Sequence, residues 1–145
     1  MSMVRAMRSG DVPAVAELEA QIFSQPWSAQ GFWDALALPD TVFLVAEEEH
    51  RILGYIGMYL SIDEGEITNV AVAPDARRQG VGQELLLQIK REAKQRAVGR
   101  LVLEVRTSNE GAIALYEKNG FSVAGVRKGF YEHPKEDAYI MIYGQ

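Results

Sequence analysis

The segment Ala71–Ala93, "AVAPDARRQGVGQELLLQIKREA", passes from an apolar, strand-like stretch through a turn into a helical pattern. Val81, Leu85, Ile89 and Ala93 recur four apart, which predicts a helix over 80–96 with one buried stripe. The turn itself, Arg77–Gly82, sets two glycines at the mouth of that helix. A glycine inside a helix costs about 1 kcal/mol relative to alanine. Two readings account for it. In the first, the glycines only permit the dihedrals of a tight strand-to-helix turn. In the second, a ligand approaches the backbone closely. The first turn of a helix leaves its amide hydrogens unpaired and aimed outward, at the positive end of the helix dipole. Phosphate is the natural guest of such a site, and Arg77 and Arg78 add full positive charge beside it. The turn lacks the lysine and hydroxyl residue of a P-loop and is not Gly-x-Gly-x-x-Gly, which disfavours a nucleoside triphosphate or a nicotinamide cofactor.

Working outward, "EGEITNVAVAP" (64–74), "RILGYIGMYLSI" (51–62) and "TVFLVAEE" (41–48) read as three strands separated by short polar turns, hence antiparallel hairpins. The turns "AEEEH" and "IDEGE" read as solvated hairpin ends. Before them, "VRAMR" (4–8) is a short strand. Asp11 is placed to cap a helix through Phe23, with Val12, Val15, Leu18 and Ile22 on one stripe and Pro13 in its first turn. "QPWSAQGFWDALALPD" (25–40) gives a turn, a Ser28 cap and a short aromatic helix stopped by Pro39. After the central helix, "RLVLEV" (100–105) is a strand of near-continuous apolar character, as expected where both faces of a sheet are covered. A helix over 109–119 follows, closed by Gly120 in a left-handed cap. "FSVAGVRKGFY" (121–131) and "DAYIMIY" (137–143) are the last strands. The order β-α-α-β-β-β-α-β-α-β-β predicts an α/β (mixed α+β) fold: a mixed, mostly antiparallel sheet of about seven strands with four helices.

The chain of 145 residues shows no repeat or linker and reads as a single domain over 1–145. It contains no cysteine, which excludes disulfides, thiolate metal sites and a cysteine nucleophile. His50 and His133 alone do not make a zinc site, so no metal is expected. No apolar run reaches membrane-spanning length and the first ten residues lack a signal-peptide core, so a cytoplasmic location with no membrane partner is expected. The net charge of −5 argues against nucleic-acid binding and suits a cationic partner. A monomer is expected.

Arg77-x-x-Gly80-x-Gly82 after a strand resembles the pyrophosphate-binding motif of the GNAT superfamily of N-acetyltransferases. "LVLEVRTSNEGAIALYEKNGF" (101–121), with "EITNVAVAP" and the Pro26-Trp27-Ser28 triplet, is similar to its ribosomal-protein-alanine N-acetyltransferase (RimI-type) branch. That branch often carries a histidine before Pro-Trp-Ser, where this chain has Gln25, and the loop ahead of Glu136 and Asp137 departs from the pattern. The resemblance implies a GNAT fold, acetyl-CoA as co-substrate, and an acceptor amine on a protein or peptide N-terminus, that of a small-subunit ribosomal protein.

It also implies roles for particular residues. Arg77, Arg78, Gln79, Gly80, Val81, Gly82 and Gln83 are expected around the pyrophosphate. Val70, Ala71 and Val72 would offer backbone groups to the pantetheine arm, on a strand splayed from its neighbour, and Asn109 would contact the cofactor. Glu104 is the candidate base. By its residues alone it could equally pair with Arg106, two positions along the same face. Tyr116 is the candidate acid, although a helix tyrosine packing beside Leu115 is the commoner fate of such a residue. A tyrosine can donate to a leaving thiolate because its pKa lies above that of a thiol. Trp27 and Tyr131 are candidate acceptor-groove residues, whereas Trp33 reads as core. Without a cysteine, direct attack of the amine in a ternary complex is the economical mechanism.

Overall fold

The computed structural model describes residues 2–144. Met1 and Gln145, the ends of the span read as one domain, lie outside that description. Strand β1 (Met3–Ala6) leads to helices α1 (Val12–Ile22) and α2 (Ala29–Leu36). The meander β2 (Thr41–Glu48), β3 (Arg51–Leu60) and β4 (Glu64–Val72) follows. Then come α3 (Val81–Gln95), β5 (Arg100–Arg106), α4 (Glu110–Lys118), β6 (Ser122–Glu132) and β7 (Lys135–Gly144). The element order along the chain is the expected one, and the strands make one seven-stranded sheet in the order β1-β2-β3-β4-β5-β7-β6.

Helices cover both faces. On one face, α3 buries its stripe of Val81, Leu85, Leu86, Ile89 and Ala93, and Lys90 stands 4.6 Å over the ring of Tyr143 on β7. On the other face, the Tyr55 hydroxyl of β3 donates to Glu19 of α1. Phe32, Phe43, Tyr55 and Tyr59 interlock there edge to face, with ring centroids 5.7–6.4 Å apart.

Most of the sheet is antiparallel, and β4 with β5 is the parallel pair, joined through α3. That pair is brief. Glu64, Gly65 and Glu66 lie beside Arg100, Leu101 and Val102, and there the pairing stops. β4 nevertheless runs on to Val72 and β5 to Arg106. At the parting point β4 carries a bulge at Thr68, since Gly57 opposes Asn69 while Met58 opposes Ile67. A bulge bends its strand and increases local twist. A wedge therefore opens in the middle of the sheet.

Three expectations are corrected. Asp11 holds the N-cap position of α1, but its side chain does not cap the helix: the carboxylate accepts from the Arg5 guanidinium (2.8 and 2.9 Å) and the Arg8 amide (2.7 Å), inside the 3-10 turn Ser9–Asp11. The β5 strand is covered fully on one face only; Val102, Glu104 and Arg106 are half-buried because they face the groove beside the wedge. Trp33 is not core. It is 39% exposed, and its indole N–H donates to the Ser9 carbonyl (3.0 Å). Phe32 takes the inward direction on this short helix, and its neighbour points about 100° away.

Gly57 sits where a side chain cannot. A Cβ there would lie 2.3 Å from Cε1 of Phe43, a ring that is itself buried. Gly57→Ala is expected to lower the unfolding free energy by about 1–3 kcal/mol in urea titration. Phe43→Leu in the same chain should recover part of the loss.

Candidate active site

The turn between β4 and α3 answers the question its glycines raise. Arg78 and Gly80 both take left-handed backbone, φ 64° and 82°, so the first glycine meets a dihedral requirement. Gly80 is the N-cap of α3, with no atom within 4 Å of where its Cβ would be. Gly82 serves another purpose: a Cβ there would lie 2.9 Å from Cδ2 of Leu115, so it lets α4 lie close against α3. The first intrahelical bond runs from the Glu84 N–H to the Gly80 carbonyl (3.0 Å). The amides of Val81, Gly82 and Gln83 thus precede the ladder, at the positive end of a fifteen-residue helix. Arg77 and Arg78 are exposed alongside. An open left-handed cap, free amides and two guanidinium groups form a donor set that fits a diphosphate.

The side chains of this turn are less available than its backbone. Gln83 exchanges reciprocal hydrogen bonds of 2.8 Å with Asn119, clasping α3 to the end of α4. Gln79 donates to the Asp75 carbonyl (3.3 Å) and Arg77 Nε to the Val72 carbonyl (3.3 Å). Along β4, the Ala73 N–H donates to the Leu53 carbonyl of the strand before it (2.7 Å). By strand alternation Ala71 directs its backbone groups the same way, toward β3, whereas Val70 and Val72 direct theirs into the wedge. Of the three residues expected to offer backbone groups, two can. Asn109 caps α4, its Oδ1 accepting from the Ala112 amide (3.2 Å), which leaves its amide nitrogen as the group for a ligand.

Beside the wedge, Glu104 projects from β5 with 14% of its side chain exposed, and Oε2 meets Arg127 Nε of β6 at 3.1 Å. It does not pair with Arg106. That residue is committed to Glu136 (3.2 Å), to the carbonyls of Pro134 and His133 (2.8 and 3.1 Å) and to the Tyr131 ring 4.2 Å away. Burial pushes the Glu104 carboxyl upward, Arg127 pulls it down and Glu66 pushes it up again. Tyr131 is raised by burial and feels Arg106, Glu104 and Glu136. Tyr116 on α4 is buried, which drives its phenol upward, and it senses Tyr131. Its ring lies 5.9 Å from Phe121. Glu104, Tyr116 and Tyr131 are therefore one electrostatic group.

Trp27 is half-buried against Phe32, 5.2 Å between centroids. Its backbone is held by Glu19, which the sequence reading missed. Glu19 is 3% exposed, accepts from the Trp27 amide (2.9 Å) through Oε2 and from the Tyr55 hydroxyl through Oε1. A signal for it existed: Glu19 falls four residues after Val15 and three before Ile22, on the apolar stripe itself. Next to it, the Ser24 hydroxyl donates to the His133 carbonyl, joining the α1–α2 loop to the β6–β7 hairpin. Among the described residues no group of His, Cys, Asp or Glu could hold a metal ion.

The family model described as "Acetyltransferase (GNAT) family" matches residues 12–121. The chain belongs to that family. It is an acetyl-CoA-dependent N-acetyltransferase. The enzyme is 39% identical over 139 residues (95% of this chain, 92% of the other) to a Bacillus subtilis (strain 168) protein provisionally named a ribosomal protein bS18-alanine N-acetyltransferase. It is 34% identical over 143 residues (97% and 96%) to the [Ribosomal protein bS18]-alanine N-acetyltransferase of Escherichia coli (strain K12). The crystal structure of the ribosomal-protein-S18-alanine N-acetyltransferase from Escherichia coli superposes with a TM-score of 0.91 at 33% identity, covering 99% of this chain and 94% of that one.

Glu19→Ala should leave the Tyr55 hydroxyl and the Trp27 amide without an acceptor. A loss of about 1–3 kcal/mol per orphaned donor is expected in equilibrium unfolding. Glu19→Gln, which keeps an acceptor oxygen, should lose less.

Proposed function

We propose that this enzyme acetylates the α-amine of the N-terminal alanine of small-subunit ribosomal protein S18, with Glu104 as general base and Tyr116 as general acid. The observation that carries the reading is the wedge where β4 leaves β5. A carboxylate, a phenol and a diphosphate-fitting helix terminus all belong to the strands and helices that border it. The names of the relatives support the acceptor. A cytoplasmic, monomeric, single-domain enzyme is the corresponding whole; among the described residues no helix is long and apolar enough to cross a membrane.

Acetyl-CoA supplies the acetyl group as a thioester. The acceptor arrives largely as an ammonium, whose pKa is about 8 for an α-amine. Glu104 takes its proton. Burial raises the carboxyl toward neutrality, which brings its proton affinity nearer to the amine's. Tyr116 is raised by burial and so stays protonated at working pH, a donor for the departing sulfur, whose thiol pKa is about 8.5. The sequence has no cysteine, so no cysteinyl acyl-enzyme can form, and direct attack in a ternary complex is the economical mechanism. Val70 and Val72 offer backbone groups to the pantetheine arm, and an amide there would polarise the thioester oxygen. Trp27 and Tyr131 flank the acceptor. Exposed Glu66, which Glu104 senses, favours a cationic N-terminus.

Glu104→Gln and Tyr116→Phe are each expected to lower kcat by about 10²- to 10⁴-fold in a continuous thiol-release assay, with the acetyl-CoA KM little changed. Incubation with acetyl-CoA and a peptide copying the S18 N-terminus should add one acetyl group at the α-amine by mass spectrometry. Modification of a lysine side chain instead, or none, would overturn the acceptor. Because the base is active when deprotonated, activity should fall as pH drops through the Glu104 pKa.

A further inference from the structure

The β6–β7 hairpin is out of step with itself. Arg127 lies opposite Ala138 and Tyr131 opposite Glu136, so β6 takes four residues over the span β7 covers in two. The surplus loops out at Lys128–Phe130, where Gly129 takes φ 64° and its N–H donates to the Asp137 carboxylate (2.8 Å). The bulge turns Arg127 and Tyr131, four residues apart, into neighbours on one face. Tyr131 then lies against Arg106, and Arg127 reaches past the intervening β7 to Glu104 on β5. Strands stand about 4.8 Å apart, so this crossing of two spacings needs a long side chain. Beneath it β7 contributes Ala138 and Ile140, neither of them charged.

We propose that Arg127 is a positioning residue: its guanidinium fixes the Glu104 carboxylate in the groove of the free enzyme and yields that carboxylate to the acceptor's ammonium. The inference rests on Glu104 being the base. The two partners are unequal. The Arg127 side chain is 57% exposed against 14% for Glu104, so the cation can retreat to water at little cost while the carboxylate cannot. The ring of Phe130, 5.9 Å from the guanidinium, offers it a second resting place.

The other groups around Glu104 do not substitute for it. Glu66 approaches from β4 and is repulsive, and Tyr131 comes from β6 with Tyr116 of α4 behind it. Arg106 on the same strand is occupied by Glu136 and two carbonyls. The acceptor's ammonium replaces the guanidinium charge for charge, and the proton then passes from nitrogen to the Glu104 oxygen.

The test is a pair of pH profiles on Arg127→Gln, Arg127→Lys and Glu104→Gln, with the S18-type peptide as acceptor. The acidic limb of kcat/KM reports the free enzyme and that of kcat the complex. In Arg127→Gln the kcat/KM limb should move to higher pH by about half a unit to one unit, since the group that keeps Glu104 ionised is gone. The kcat limb should move less, because the parent complex has already lost the contact. Above the limb the peptide KM should be equal or lower, while the acetyl-CoA KM and melting temperature stay as in the parent. Arg127→Lys should follow the parent. An unmoved limb in Arg127→Gln, or equal movement of both limbs, overturns the inference. Persistence of the limb in Glu104→Gln would instead overturn the assignment of the base, and the inference with it.

Discussion

Everything in this enzyme's site follows from two parallel strands parting after three residue pairs. A sheet interior normally satisfies its backbone groups across both edges of each strand. Here β4 keeps its partner on the β3 side and loses it on the other, so Val70 and Val72 turn backbone groups toward the wedge rather than toward a neighbouring strand. The bulge at Thr68 bends the strand away at that point, and α3 begins where β4 ends, so its free amides lie at the end of the open edge. One local defect thus sets both the open edge of β4 and the place of the free α3 amides just beyond it.

The same opening sets the electrostatics. Glu104 is half-buried because β5 has no β4 beside it, and that burial raises its carboxyl. Tyr116 is deeper and more strongly raised, so its phenol holds a proton while the carboxylate is able to accept one. Burial raises both groups, and they stay apart because an ordinary phenol, at about 10, already lies far above an ordinary carboxyl, at about 4.3.

The element order, both crossover helices and the pairing of the β2–β3–β4 meander were legible because each rests on local period and on short turns. The roles proposed for Glu104 and Tyr116 rest on a resemblance, not on periodicity. What escaped depends on contacts between distant segments. Asp11 stands just before an apolar stripe and reads as a cap, but Arg5 claims its carboxylate through a strand that folds back beside the helix. Glu104 and Arg106 are near in sequence, and only the β7 and β6 registers reveal that each finds its partner elsewhere. Trp33 and Phe32 are adjacent aromatics, and nothing local says which one turns inward. Gly82 could have been for a phosphate or for a helix; its meeting with Leu115 is a tertiary fact.

The latch from Ser24 to the His133 carbonyl has an evolutionary reading. The segments proposed to flank the acceptor, the α1–α2 loop and the end of the β6–β7 hairpin, lie more than a hundred positions apart, while the stretch from β4 to α4 proposed to hold the donor is continuous in sequence. A lineage can therefore inherit the donor half unchanged and explore new acceptors only by altering both loops in concert. Substrate choice in such a protein is a property of a matched pair, and drift in either loop alone works against the fit of the other.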